Sequence, residues 1–159
     1  MSLKKKLLAA CLFLLLASLA FGVFADIPAS STFVNKMNFT VNRHNNLHQN
    51  GALINLWQLN HNPSQDWYMM ADGTIRSASN PNYCLNIHNY SLKDGAVINL
   101  WQCNGNDSQK WSRVGTTLRP QKNTKYCLNL HNYDNKNNAT INLWSCNGHD
   151  SQYWKIITH

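Results

Sequence analysis

The chain has 159 residues, with fourteen lysines and arginines against seven aspartates, for a formal net charge of +7 when histidine is neutral. That length holds one domain and a targeting segment. Apart from Lys4, Lys5 and Lys6 at the start, the basic residues are scattered rather than clustered along a stripe, which argues against a nucleic-acid surface. Glutamate is absent, and asparagine is used heavily instead, so the surface is rich in neutral hydrogen-bonding groups.

Met1–Lys6 carries three lysines, and an apolar run follows from Leu7 to Ala25, ending Val23-Phe24-Ala25 before Asp26. A basic start, an apolar stretch and small residues at the cut site predict a secretory signal peptide over residues 1–25. The competing reading is an uncleaved anchor, since about 20 apolar residues can span a bilayer. Leu8-Ala9-Ala10-Cys11 mimics a lipoprotein cleavage box, but almost no apolar stretch precedes it. Cleavage after Ala25 removes Lys4, Lys5 and Lys6 and leaves a chain of charge +4. That product would be exported, extracellular or periplasmic, with no membrane insertion.

Asp26–Ser31 is a polar lead-in, and Thr32–Asn38 reads as a first strand. From there the chain is a repeat. FTVNRHNNLHQNGALINLWQLNHNPSQDW (Phe39–Trp67), YCLNIHNYSLKDGAVINLWQCNGNDSQKW (Tyr83–Trp111) and YCLNLHNYDNKNNATINLWSCNGHDSQYW (Tyr126–Trp154) are three copies of one unit. Trp57, Trp101 and Trp144 lie 44 and 43 residues apart, and a second tryptophan follows each by ten residues. A period in the low forties means an array of supersecondary units. Val97-Ile98-Asn99-Leu100-Trp101 alternates, which sets Ile98 and Leu100 inward against Asn99 and Trp101 outward. Leu85-Asn86-Ile87-His88 likewise sets Asn86 and His88 outward. Asp72-Gly73 marks a hairpin turn between units, and residues 114–119 take the same place in the third.

No stretch after Ala25 has a helical apolar period, so the chain is all-β. Three copies must close on one another to hide their sheet edges. A propeller needs at least about four blades, so three units point to a β-trefoil of about twelve strands with pseudo-threefold symmetry.

Removing Cys11 leaves Cys84, Cys103, Cys127 and Cys146, an even number in an exported chain. Three connectivities are possible. Both in-repeat gaps equal 19, which favours Cys84–Cys103 and Cys127–Cys146. Zinc is the rival, but no CxxC spacing occurs. His44, His88 and His131 recur once per repeat, yet symmetry-related outward side chains diverge, so no shared metal site and no cofactor are expected. Asn38, Asn89, Asn106 and Asn138 each begin an Asn-x-Ser/Thr pattern.

Ser64-Gln65-Asp66-Trp67, Ser108-Gln109-Lys110-Trp111 and Ser151-Gln152-Tyr153-Trp154 share the form SQxW. With CLN…NLWxC in two copies, the chain resembles the ricin B-chain-type lectin family from about Phe33 to its end. The resemblance implies a trefoil domain over residues 33–159, with repeats near 33–70, 71–114 and 115–159. It implies that Trp67, Trp111 and Trp154 pack the core. Sugar-binding members place an aspartate after the Cys-hydrophobic pair and an asparagine before the QxW glutamine. Here Asn42, Asn86 and Asn129 replace the first, and Ser64, Ser108 and Ser151 the second.

The expected function is therefore glycan binding at shallow sites in the second and third repeats. A flat aromatic face suits a sugar's C–H surface, and amides suit its hydroxyls. In the second repeat the candidates are Asn86, His88, Trp101, Asn104, Asp107 and Gln109. In the third they are Asn129, His131, Trp144, Asn147, Asp150 and Gln152. Asn42, His44 and Trp57 are weaker counterparts in the first repeat, where Thr40 and Leu59 replace the cysteines and Arg43 stands at an inward position. The rival function is a protein-interaction or toxin-accessory subunit on the same fold. An enzyme is not expected: Asp107 and Asp150 fall on separate lobes, and no nucleophile motif is present.

Overall fold

Short runs of alternating or wholly apolar residues, each closed by an Asn- or Gly-rich turn, leave this chain little choice but strands. The computed structural model describes residues 27–159; the expected signal peptide, residues 1–25, lies outside them. Twelve strands follow in order: β1 (Ser31–Val34), β2 (Phe39–Arg43), β3 (Ala52–Gln58), β4 (Trp67–Met69), β5 (Ile75–Ser77), β6 (Tyr83–Ile87), β7 (Ala96–Gln102), β8 (Trp111–Val114), β9 (Thr117–Pro120), β10 (Tyr126–Leu130), β11 (Ala139–Ser145) and β12 (Lys155–Thr158). Among the described residues the only helical pieces are one-turn 3-10 segments. The fold is a β-trefoil.

Three hairpins, β2/β3, β6/β7 and β10/β11, gather around the pseudo-threefold axis, where β3, β7 and β11 pair with one another. The outer strands join the lobes: β1 pairs β12 over four residues, β4 pairs β5, and β8 pairs β9. Each hairpin has the same register, with asparagine directly opposite asparagine: Asn42–Asn55, Asn86–Asn99 and Asn129–Asn142. The turn at Asp72-Gly73 forms as expected, with Met70 N–H donating to Thr74 O at 2.9 Å. Gly73 has φ +83°, a left-handed conformation that strains any residue with a Cβ, and a Cβ there would also displace the end of the Gln121 side chain, so glycine suits the turn.

The core runs through all three lobes, from Phe33, Val41 and Leu56 to Leu85, Leu100, Leu128 and Leu143. Trp67, Trp111 and Trp154 are buried in it. Each indole donates to a strand carbonyl: Val41 O at 3.1 Å, Leu85 O at 3.0 Å and Leu128 O at 2.9 Å. Burying an indole costs its N–H a water partner, and these bonds return it.

The glutamine of each SQxW is equally structural. Gln109 donates to Gln102 O at 3.0 Å and accepts from Asn104 N–H at 2.9 Å. Gln152 makes the same pair with Ser145 O at 2.9 Å and Asn147 N–H at 3.0 Å. Gln65 repeats it with Gln58 O and Asn60 N–H. Each glutamine thus clamps the loop leaving the central strand, and both of its amide atoms are used. Gln109 and Gln152 are therefore corrected from ligand candidates to buried loop clamps.

Disulfides join Cys84 to Cys103 and Cys127 to Cys146, the pairing favoured by the repeat. A closed loop of this length adds on the order of 3 kcal/mol in the chain-entropy account. The first lobe has no such bond.

Truncating Trp111 to Ala removes both the packing and the bond to Leu85 O. We expect a loss of about 3–5 kcal/mol in urea unfolding of the oxidised protein. Trp101→Ala, on the solvent side of the same lobe, should cost much less in the same measurement.

Candidate functional site

Each lobe carries a concave site where its hairpin meets the 3-10 turn of its SQxW segment. The second-lobe pocket has a volume of about 460 Å³, the third about 310 Å³ and the first about 250 Å³. The partly exposed Trp101, Trp144 and Trp57 form one wall of each. Their place at the end of β7, β11 and β3 follows from alternation: Leu100, Leu143 and Leu56 point inward just before them.

The floor is where alternation misleads. Alternation sets Asn86 outward, yet it and its counterparts Asn129 and Asn42 are each only 5–6% exposed. Both faces of β6, β10 and β2 are covered, because the SQxW turn folds over the outer one. The asparagines stay polar there because each has a partner. Asn86 Nδ2 donates to Asn99 Oδ1, Asn129 Nδ2 to Asn142 Oδ1, and Asn42 Nδ2 to Asn55 Oδ1, all at 2.8 Å. In the first and third lobes the serine of SQxW closes the set, with Ser64 Oγ donating to Asn42 Oδ1 at 2.6 Å and Ser151 Oγ to Asn129 Oδ1 at 2.8 Å.

The relay continues outward to the histidines. Asn99 Nδ2 donates to His88 Nδ1 at 3.2 Å, Asn142 Nδ2 to His131 Nδ1 at 3.1 Å, and Asn55 Nδ2 to His44 Nδ1 at 3.0 Å. An imidazole that accepts on Nδ1 carries its hydrogen on Nε2. Asn99, which alternation sets outward, is buried, as are its counterparts Asn142 and Asn55, and the three set the tautomer of each ring. His88 and His131 line their pockets, whereas His44 is not among the residues lining the first. Among the described residues no three His, Cys, Asp or Glu side chains converge as a metal site would require.

Asn104 and Asn147 also line the pockets, but their carbonyls are engaged locally. Asn104 Oδ1 accepts from Asn106 N–H at 3.0 Å and Asn147 Oδ1 from His149 N–H at 2.9 Å. Asp107 lines the second pocket, whereas Asp150 does not line the third.

Several lining residues escaped sequence reasoning: Asn89, Tyr90, Asn106 and Ser108 in the second pocket, and Asn132, Tyr133, His149 and Ser151 in the third. The tyrosines are the most telling. Tyr90 has φ +49° and Tyr133 φ +55°, the left-handed region that a bulky residue rarely adopts. Holding a side chain there costs about 1–2 kcal/mol. The strain sets a ring at the pocket edge in the second and third lobes. Asn46 takes the equivalent place in the first lobe, where the conformation costs an asparagine less. The available signal was the Asn-Tyr pair after each histidine, His88-Asn89-Tyr90 and His131-Asn132-Tyr133, against His44-Asn45-Asn46.

The first lobe departs in another respect. Arg43, at the inward position of Ile87 and Leu130, is fully buried. Its Nη2 donates to Ser79 Oγ at 2.6 Å and Pro63 O at 3.0 Å, and its Nη1 lies 2.7 Å from His48 Nε2. Its Nε is the one buried side-chain polar atom without a hydrogen-bond partner among the described residues. Burial pushes its pKa down to about 10, opposed by the charge of Asp66. Burial, and then the Arg43 charge, also lowers the pKa of His48.

A histidine whose pKa is lowered by folding binds its proton more readily when unfolded. Its contribution to stability is full above about pH 6.5 and is lost as pH falls through the lower folded value. Thermal melts of wild type and His48→Gln should therefore converge or cross as pH drops from 7.5 to 5. A constant gap across that range would refute the coupling.

The family profile for the ricin-type beta-trefoil lectin domain matches residues 32–154. No curated protein matches the chain in sequence. Among solved structures, the designed three-fold symmetric protein ThreeFoil is 20% identical with a TM-score of 0.74, covering 82% of this chain and 99% of its own. The C-half of the earthworm R-type lectin, solved with GalNAc, is 20% identical with a TM-score of 0.68, covering 83% of this chain and all of its own. The agglutinin from Abrus precatorius is 19% identical with a TM-score of 0.71, covering 81% of this chain and 48% of its own.

Proposed function

This chain belongs to the ricin-type beta-trefoil lectin domain family, and on that footing we propose that it is a secreted glycan-binding protein. The domain assigned to residues 33–159 follows a signal peptide over residues 1–25, and both disulfides are compatible with an oxidising compartment.

One observation carries the reading. In the second and third lobes a partly exposed tryptophan and a strained tyrosine flank a concavity floored by satisfied amides. A sugar needs a flat apolar face for its C–H surface and fixed donors and acceptors around its rim. Trp101 and Trp144 supply the face. His88 and His131 offer Nε2–H donors, and Asn104 and Asn147 offer amide N–H groups. Asn86 and Asn129 hold the floor rather than reach for ligand, because their amides are committed to Asn99 and Asn142.

The carboxylate that sugar-binding relatives place on this floor is thus replaced by an uncharged, internally bonded pair. Recognition shifts to the rim, where bonds are neutral and individually weaker. Single-site affinity of such a rim is on the order of millimolar. Two sites on one rigid molecule bind a glycosylated surface by avidity.

A glycan array probed with multivalent protein tests the proposal. We expect binding that falls about tenfold in Trp101→Ala or Trp144→Ala and is nearly abolished in the double variant, with melting temperatures little changed. No binding to any glycan at high display density would end the reading.

A further inference from the structure

One repeat folded three times has produced pockets of different charge. In the second lobe the Asp107 carboxylate lines the pocket. Tyr90 feels it: burial, and then the Asp107 charge, raises the phenol's pKa. In the third lobe the equivalent Asp150 is drawn aside. Lys36 Nζ, from the turn between β1 and β2, donates to Asp150 Oδ1 at 2.6 Å. The same ammonium sits 5.2 Å from the centre of the Tyr153 ring. The turn is anchored across lobes by Asn35 Nδ2, which donates to Asn135 Oδ1 at 2.8 Å. The other nearby acid, Asp134, is paired with Lys136 at 2.7 Å. Among the described residues no carboxylate lines the third pocket.

What lines it instead is a second imidazole. His149 stands where the second lobe has Asn106 and the first has Asn62. Its Nδ1 accepts from Ser151 N–H at 3.1 Å. A backbone N–H can only donate, so the ring hydrogen sits on Nε2. Tyr133 packs edge-on against the ring at 5.1 Å. His131, held by Asn142, also keeps its hydrogen on Nε2. Both rings therefore have their acceptor nitrogen occupied and a donor left over. A neutral hydroxyl is served by a mixture of donors and acceptors, whereas a carboxylate or sulfate is served by donors alone.

We propose that the third-lobe pocket takes a terminal sugar bearing an anionic group, a carboxylate or a sulfate, while the second-lobe pocket, with Asp107 on its lining, takes uncharged sugars. The inference rests on the glycan-binding reading above and divides that function between two lobes.

The experiment is an array carrying neutral, carboxylated and sulfated terminal sugars at equal density, probed with the whole protein at physiological salt. Four variants accompany wild type: Trp101→Ala, Trp144→Ala, His149→Asn and His149→Asp. Both His149 replacements retain a capping acceptor, as Asn62 shows in the first lobe by accepting from Ser64 N–H at 3.0 Å, so folding is preserved. The expected result is anionic-sugar binding that survives Trp101→Ala and is lost in Trp144→Ala. It should weaken in His149→Asn and fall about tenfold or more in His149→Asp, which places a like charge against the ligand. Separate carboxylate and sulfate arms identify which anion is preferred.

Anionic binding that persists in Trp144→Ala and His149→Asp would be surface attraction to a basic protein and would overturn the inference. Binding to neutral sugars alone would overturn it while leaving the lectin reading intact. Binding to nothing would overturn both.

Discussion

Each lobe depends on one buried contact, the amide pair across its hairpin: Asn42 with Asn55, Asn86 with Asn99, and Asn129 with Asn142. All three close at 2.8 Å. A buried amide left without a partner costs about 1–3 kcal/mol, so once one member is present the other is required. The pair sits where the core ends and the pocket begins. Below it are leucine and isoleucine; above it the second amide, which accepts on its oxygen within the pair, donates an N–H to a histidine. The contact that makes the hairpin tolerable inside the fold therefore also fixes which nitrogen of that histidine meets solvent.

Much of the fold was legible from the chain. Three copies of one unit, the spacing of Cys84 and Cys103, and the inward beat of Leu85, Ile87, Ile98 and Leu100 all point to the trefoil. The pocket was only partly legible. Trp101 and Trp144 sit on the wall, as a period of two requires. Asn86 and Asn129 do not face solvent, because that period assumes one bare face and here a distant turn covers it. Gln109 and Gln152 are consumed by backbone groups in their own loops, a role that a polar residue in a motif does not announce. Tyr90 and Tyr133 needed backbone angles that no propensity assigns to tyrosine. Asp150 was diverted by Lys36, 114 residues earlier, a contact visible only after the lobes have closed.

The three lobes show how far one unit can drift while its frame holds. The central strands share a single burial pattern, as do the strands opposite them. Variation falls on the rim and on what lies beneath it. The first lobe has no disulfide, carries Asn46 in the tyrosine's place and buries Arg43 with no carboxylate at bonding distance among the described residues. Relieving the strain and giving up the ring go together, consistent with a lobe kept for closure of the threefold more than for ligand.

Asn89-Tyr90-Ser91 and Asn106-Asp107-Ser108 are both acceptor patterns for N-linked glycosylation, and Asn89 and Asn106 both stand exposed on the lining of the second-lobe pocket. In a host that modifies such sites, an oligosaccharide attached at either one would sit in the mouth of the protein's own pocket. The third-lobe counterparts, Asn132-Tyr133-Asp134 and His149-Asp150-Ser151, lack the pattern. The choice of expression system thus decides which lobes are open: an unglycosylated product presents all three pockets, whereas one modified at Asn89 or Asn106 leaves only the first and third uncovered.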